Sequence, residues 1–160
     1  MRKVVVIVET EERMERIWKS IMELDKLFKL VKFVKKVSIQ EPVQEGMIFY
    51  DVTGILWIPI PIKHKITTIK EHEKFAIEAY LPLKSGKMFQ TILVKDMGGH
   101  RKIEMEIKFN IDFPIFDIIF GYILELRLMQ MIKETFKNIE SYLNNKEGVT
   151  KIRFSKIVEK

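Results

Sequence analysis

The chain contains no cysteine. That excludes disulfides, thiolate metal sites and a cysteine nucleophile. Histidine is nearly as scarce. His64, His72 and His100 are the only three, and no two of them stand at a zinc-site spacing. No glycine-rich phosphate loop, local Ser-His-Asp signature or metal motif occurs, so no cofactor and no metal are expected. Internal repeats, low-complexity segments and linkers are missing as well, and 160 residues fit one domain with a sizeable core. The apolar run near the start, Val4 to Val8, is too short for a signal peptide, lacks a small-residue cleavage site and is followed by acidic residues. A cytoplasmic location is expected. Blocks of one charge sign are also lacking. The net charge is +6 and the pI near 9.4, but lysines and glutamates are interleaved, as in solvated surfaces of heat-tolerant proteins. The exposed aromatic-plus-basic pattern of an RNA-binding sheet is also missing, and no nucleic-acid partner is expected.

What is present is periodicity. Residues 2–8 read as a strand. Thr10 can cap a following helix whose acidic first turn suits the helix dipole. In that helix Met14, Ile17, Trp18 and Ile21 form one apolar stripe. Asp25 opens a second short helix. The period then changes to two. Strands are expected over 33–40, 47–53, 57–70, 75–81, 87–95 and 102–112, with breaks at Gly46, Gly54, 84–86 and Gly98-Gly99. Pro59 and Pro61 mark an edge or a bulge at the start of the longest strand. The last strand alternates most cleanly. Ile103, Met105, Ile107, Phe109 and Ile111 share one face, and Lys102, Glu104, Glu106, Lys108 and Asn110 share the other.

Pro114 separates that strand from a long helix expected over about 116–144. Its C-terminal half has one core stripe: Met129, Ile132, Phe136, Ile139 and Leu143. Its N-terminal half is apolar almost all round, and Asp117, Glu125 and Arg127 argue against a membrane span. Sheet and loops, a homodimer partner or a transient membrane-surface contact would cover the remainder. The basic tail, 146–160, carries a weak strand-like pattern in Ile152, Phe154 and Ile157. It would either dock on the sheet edge or stay loose.

A strand, two short helices, six strands and a long helix, with no crossover helices, predict an antiparallel sheet and the α+β class. That order resembles the helix-grip fold of the START-related, polyketide-cyclase-like (SRPBCC) superfamily: a curved antiparallel sheet of about seven strands around a long C-terminal helix. Three segments carry the resemblance. They are Glu15-Arg16-Ile17-Trp18-Lys19-Ser20-Ile21 leading into 25–33, the glycine turn Gly46-Met47-Ile48-Phe49-Tyr50, and the final helix from Leu126 to Leu143. The domain would span 1–145, with 146–160 as a tail. The resemblance implies a cavity between sheet and helix that takes a lipid, quinone, polyketide-like or similar apolar molecule. The glycine-rich loop of the plant allergen group is not present, since the corresponding stretch runs Gln40-Glu41-Pro42-Val43-Gln44-Glu45-Gly46.

Cavities of this kind are apolar with a few placed polar groups. His64 alternates with Lys63 and Lys65, so if the lysines face water the imidazole faces inward. There it could hold a polar head group, act as a base, or be a core histidine satisfied by a neighbour. Gln90, between Met88 and Ile92, and the hydroxyls of Tyr50 and Tyr122 are further candidates. The apolar lining expected is Met105, Ile107 and Phe109 from the last strand with Met129, Ile132 and Phe136 from the helix. Sparse polar content favours a binding or carrier protein for an apolar small molecule over a catalyst. The alternatives are a cyclase- or hydrolase-type enzyme on the same scaffold, which needs His64 joined by Gln90 or Tyr50, and a protein- or membrane-interaction module built on the apolar helix.

Overall fold

A computed structural model describes residues 2–29, 31, 34–40, 42–55, 58–81, 86–111, 130 and 150–155. The fold is α+β. Strand β1 (Arg2–Thr10) leads into helices α1 (Met14–Met22) and α2 (Leu24–Lys29), followed by β2 (Val34–Ser38), β3 (Ile48–Ile55), β4 (Ile58–Lys70), β5 (Lys74–Tyr80), β6 (Gly86–Asp96) and β7 (Arg101–Ile111). An eighth strand, β8 (Thr150–Ser155), comes from the tail. Every pairing is antiparallel, in the order β2-β3-β4-β5-β6-β7-β1-β8. The expected long helix and its candidates Tyr122, Met129, Ile132 and Phe136 lie outside the described residues.

Local chemistry explains most boundaries. Gly46 sits at φ 85°, the left-handed region that favours glycine, and its N–H reaches the Ile66 carbonyl at 2.8 Å, continuing the β3–β4 ladder into the turn. Thr10 does not cap the helix as expected. It lies in β1, its hydroxyl accepts the Glu12 N–H at 3.2 Å, and α1 begins only at Met14 after Arg13, which supplies no side-chain cap. Gly54 does not break its strand either, because it pairs with Pro59 inside the β3–β4 ladder. Pro59 and Pro61 sit in an interior strand yet behave as edge residues. Among the described residues β5 joins β4 only from the Lys63–Tyr80 pair onward, so within them that stretch is paired with β3 alone. The tail docks: β8 lies along β1 from Thr10↔Thr150 to Val5↔Ser155.

The sheet has an apolar inner face. On it the α1–α2 stripe of Ile17, Trp18, Ile21, Leu24 and Phe28 meets Phe49, Ile66, Phe75, Ile77, Ile92 and Val94. A second cluster joins Val4, Val6 and Val8 to Ile107 and Phe109, and Ile103 and Met105 touch both clusters. The outer face is charged. Glu106 accepts from Lys3 at 2.8 Å and Lys108 at 2.7 Å, and Glu78 from Lys87 at 3.0 Å.

Ile66 is fully buried and Phe89 is 40% exposed on the outer face. Ile66→Ala is expected to cost about 2–5 kcal/mol in urea unfolding, and Phe89→Ala less than about 1 kcal/mol. Acid behaviour follows from Glu78. The Tyr80 hydroxyl, bonded at 2.7 Å, and then Lys87 hold its carboxyl below the ordinary value of 4.5 against the opposing effect of burial. A depressed carboxyl adds stability above its unfolded value and loses it as pH falls through the folded one. Tyr80→Phe should therefore destabilise the protein at neutral pH and flatten the loss of stability below about pH 4.5, as followed by unfolding at stepped pH.

Candidate functional site

The inner face carries few polar groups, and its centre holds a buried pair. His64 is 1% exposed and Asp51 3%. His64 lies directly opposite Phe49 in the β3–β4 ladder and opposite Ala79 in the β4–β5 ladder. Its Nε2 is 2.9 Å from Asp51 Oδ2, and the Thr53 hydroxyl donates to Asp51 Oδ1 at 3.1 Å. A carboxylate only accepts, which assigns the proton between the two residues to Nε2; in the neutral imidazole Nδ1 is then the lone-pair acceptor. That Nδ1 is buried without a hydrogen-bond partner.

Aromatic rings fix the imidazole. Phe49 stacks on it at 4.8 Å and 8°, and Phe28, brought in by α2, meets it edge-on at 5.3 Å and 81°. Phe28 also sits edge-on to Phe49 at 5.3 Å. The ring is therefore oriented by apolar contacts on its face and edge and by Asp51 at one nitrogen. An imidazole backed in this way can accept a hydrogen bond from a hydroxyl or amine, or take up a proton, at its remaining nitrogen.

Gln90 faces inward as well, between Ile77 and Ile107 on the neighbouring strands. Among the described residues its amide donates only to Met88 Sδ, at 3.8 Å. Sulfur is a weak acceptor, so a ligand carbonyl could displace that contact. Strand and residue spacings put Gln90 about 12 Å from His64, with Ala79 and Met88 between them in the sheet. Met105, Ile107 and Phe109 line the same face: Ile107 and Phe109 are buried and Met105 half-buried.

Tyr50 is a correction. It is 55% exposed on the outer face, beside Ile48 at 49%. Its partner in the ladder is Lys63, and directly paired residues share a face. Phe49, Asp51 and Thr53 point inward in its place. His100 is exposed, as expected of a turn. His72 is half-buried and meets Trp18 edge-on at 6.0 Å. Among the described residues no cluster of three metal-ligating side chains occurs, and no helix is long and apolar enough to cross a membrane. A surface hollow of about 370 Å³ opens on Lys70, Glu73, Lys74, Leu93, Val94 and Lys95. It sits at the far end of β4 from His64.

No protein-family model matches the sequence, and comparison with curated proteins finds no match. Solved structures do match. A START superfamily protein from Mycobacterium smegmatis aligns over 92% of this chain and 100% of its own, with TM-score 0.68 and 12% identity. Ara h 8.0201 aligns over 90% and 98%, with TM-score 0.66 and 18% identity. Protein TTHA0849 from Thermus thermophilus aligns over 91% and 99%, with TM-score 0.67 and 12% identity. The chain has a START-like fold.

A double-mutant cycle tests the buried pair. Breaking it from either side, with Asp51→Leu or His64→Leu, leaves a buried polar group without its partner and is expected to cost about 3–5 kcal/mol. The double variant should cost less than the two single changes together, by about 0.5–3 kcal/mol in urea unfolding. Additive effects would show that the two residues are not coupled.

Proposed function

We propose that this START-like protein binds and carries an apolar small molecule against the inner face of its sheet, with His64 Nδ1 as the polar anchor. The observation behind this reading is the orphaned nitrogen. A buried acceptor without a partner is costly unless something fills the position, and here Asp51 and two phenylalanine rings hold it in one orientation. The complementary ligand offers a hydroxyl or amine to Nδ1 and, about 12 Å away, a carbonyl or hydroxyl to Gln90. Its remainder is apolar, to suit Met88, Met105, Ile107 and Phe109. Lipids, quinols and polyketide-like molecules meet that description. The long helix expected over 116–144, with Tyr122, Met129, Ile132 and Phe136, would close the other side.

A second reading has one observation in its favour. Thr53, Asp51 and His64 form a relay ending at a basic nitrogen, the arrangement of an oriented general base. A cyclase- or hydrolase-type reaction would use it. With Tyr50 on the outer face, Gln90 is the remaining partner among the residues first considered.

His64→Gln separates these roles from a structural one. The glutamine amide can replace Nε2 toward Asp51 while nothing replaces Nδ1. Native mass spectrometry of the purified protein is expected to show a retained small molecule. His64→Gln should weaken its retention roughly 2- to 10-fold, the worth of one hydrogen bond, with the melting temperature nearly unchanged. Retention that is equal in both proteins would remove His64 from the site. Turnover of the extracted molecule that falls about 10²–10⁴-fold in Asp51→Asn would favour the enzyme reading.

A further inference from the structure

The outer face of the sheet brings together side chains that are scattered in sequence. One cross-strand row reads Ser38, Tyr50, Lys63, Tyr80, Lys87, Asn110. The adjacent row reads Ile48, Lys65, Glu78, Phe89, Lys108, Lys3. In the first row rings and cations therefore alternate across four strands, β3 to β6. Tyr50 and Phe89 are 55% and 40% exposed. Between them, the ammonium groups of Lys63 and Lys87 lie 5.7 and 5.1 Å from the Tyr80 ring centre. The Tyr80 hydroxyl and Lys87 are both tied to Glu78. Tyr80 and Glu78 thus hold two cations in the gap between two open aromatic faces.

We propose that this outer face binds single-stranded nucleic acid, with Tyr50 and Phe89 stacking on bases and Lys63, Lys65, Lys87 and Lys108 meeting the backbone. Three observations carry the choice. Positive charge predominates on these rows beyond their ion pairs: Lys3, Lys63, Lys65, Lys87 and Lys108 stand against Glu78, which pairs with Lys87, and the neighbouring Glu106, which pairs with Lys3 and Lys108, and the whole chain is basic with a pI near 9.4. The rings lie on a rigid sheet, about 16 Å apart by strand and residue spacing, a span that a strand of about four nucleotides or more can bridge. The apolar groups are islands separated by lysines, whereas insertion into a lipid surface needs a contiguous apolar face. A polyanion that carries its own rings satisfies both kinds of contact at once. This proposal departs from the expectation of no nucleic-acid partner. The aromatic-plus-basic pattern exists across strands, where a linear reading does not show it. The surface lies opposite the His64 side, so the two proposals stand or fall separately.

Fluorescence anisotropy with a labelled mixed-sequence 12-nucleotide single strand, its duplex, and vesicles of phosphatidylserine and phosphatidylcholine as competitors tests the proposal. Expected is preferential single-strand binding whose log K falls with log salt at a slope of about −2.8, from about 0.7 per contact over four lysines. Lys63→Ala with Lys65→Ala should reduce that slope by about 1.4. Tyr50→Ala and Phe89→Ala should each weaken binding about tenfold and leave the slope unchanged. Photocrosslinking of the wild-type protein to a bromouridine-substituted strand needs no variant to fold, and should label the outer face of β3 to β6. Absence of binding, equal affinity for duplex, displacement by the vesicles, or crosslinks confined to other surfaces would each overturn the proposal.

Discussion

Directly opposed residues of an antiparallel ladder must share a face, and the β3–β4 ladder applies that rule to the whole molecule. Its register runs unbroken from Ile48↔Lys65 to Ile55↔Ile58. Phe49 opposite His64 places both side chains inside, and Tyr50 opposite Lys63 places both outside. A slip of one residue would exchange the two faces. It would carry the imidazole into water and bury two lysines. The Gly46 turn, bonded back to Ile66, and the buried contact between His64 and Asp51 hold the ladder against that slip.

The buried pair has a cost that its geometry must offset. Taking an imidazole and a carboxyl out of water is expensive, and their attraction repays it only where the remaining polar atoms are satisfied. Three of the four ring and carboxyl atoms are. Asp51 uses both oxygens, His64 uses Nε2, and Nδ1 alone is left over. A chain that keeps the pair carries one unsatisfied atom at the most restricted point of its inner face, and that is the physical ground for reading the site as built for something beyond stability.

Much of this was legible in the residue order. The α1 stripe, the glycine turn at 46 and the alternation in β7 each follow from a strong local signal, and the fold contains all three. His64 was legible because the lysines beside it are unambiguous about where water is. Asp51 was not. In Ile48-Phe49-Tyr50-Asp51-Val52-Thr53 the phase of Ile48, Tyr50 and Val52 is the more apolar and that of Phe49, Asp51 and Thr53 the more polar, so the strand taken alone points the wrong side inward. The pairing with β4 decides it, and that is a property of two segments together. The outer rows were hidden for the same reason, since each strand contributes only one or two members. Thr10 and Gly54 show a different limit. Capping and strand-breaking preferences are worth about 1 kcal/mol, and the ladders on either side outweigh them.

The sheet order has a consequence in time. β1 is a run of β-branched residues, and both of its partners, β7 and β8, lie far along the chain, with Val6 opposite Met105 and Phe154. At synthesis rates of about 5–20 residues per second, the first strand waits roughly 5–20 s for β7 and roughly 7–30 s for β8. For that interval it is an unpaired, apolar strand with two open edges, the kind of segment that adheres to its neighbours on a polysome. The meander from β2 to β7 can form in the meantime from local hairpins. The closing step is then capture of β1 between β7 and β8, a long-range event with a high entropic barrier. The residue most exposed to failure in this protein's life is therefore far from His64 and the lysine rows: it is in Val4 to Val8, while the ribosome is still working.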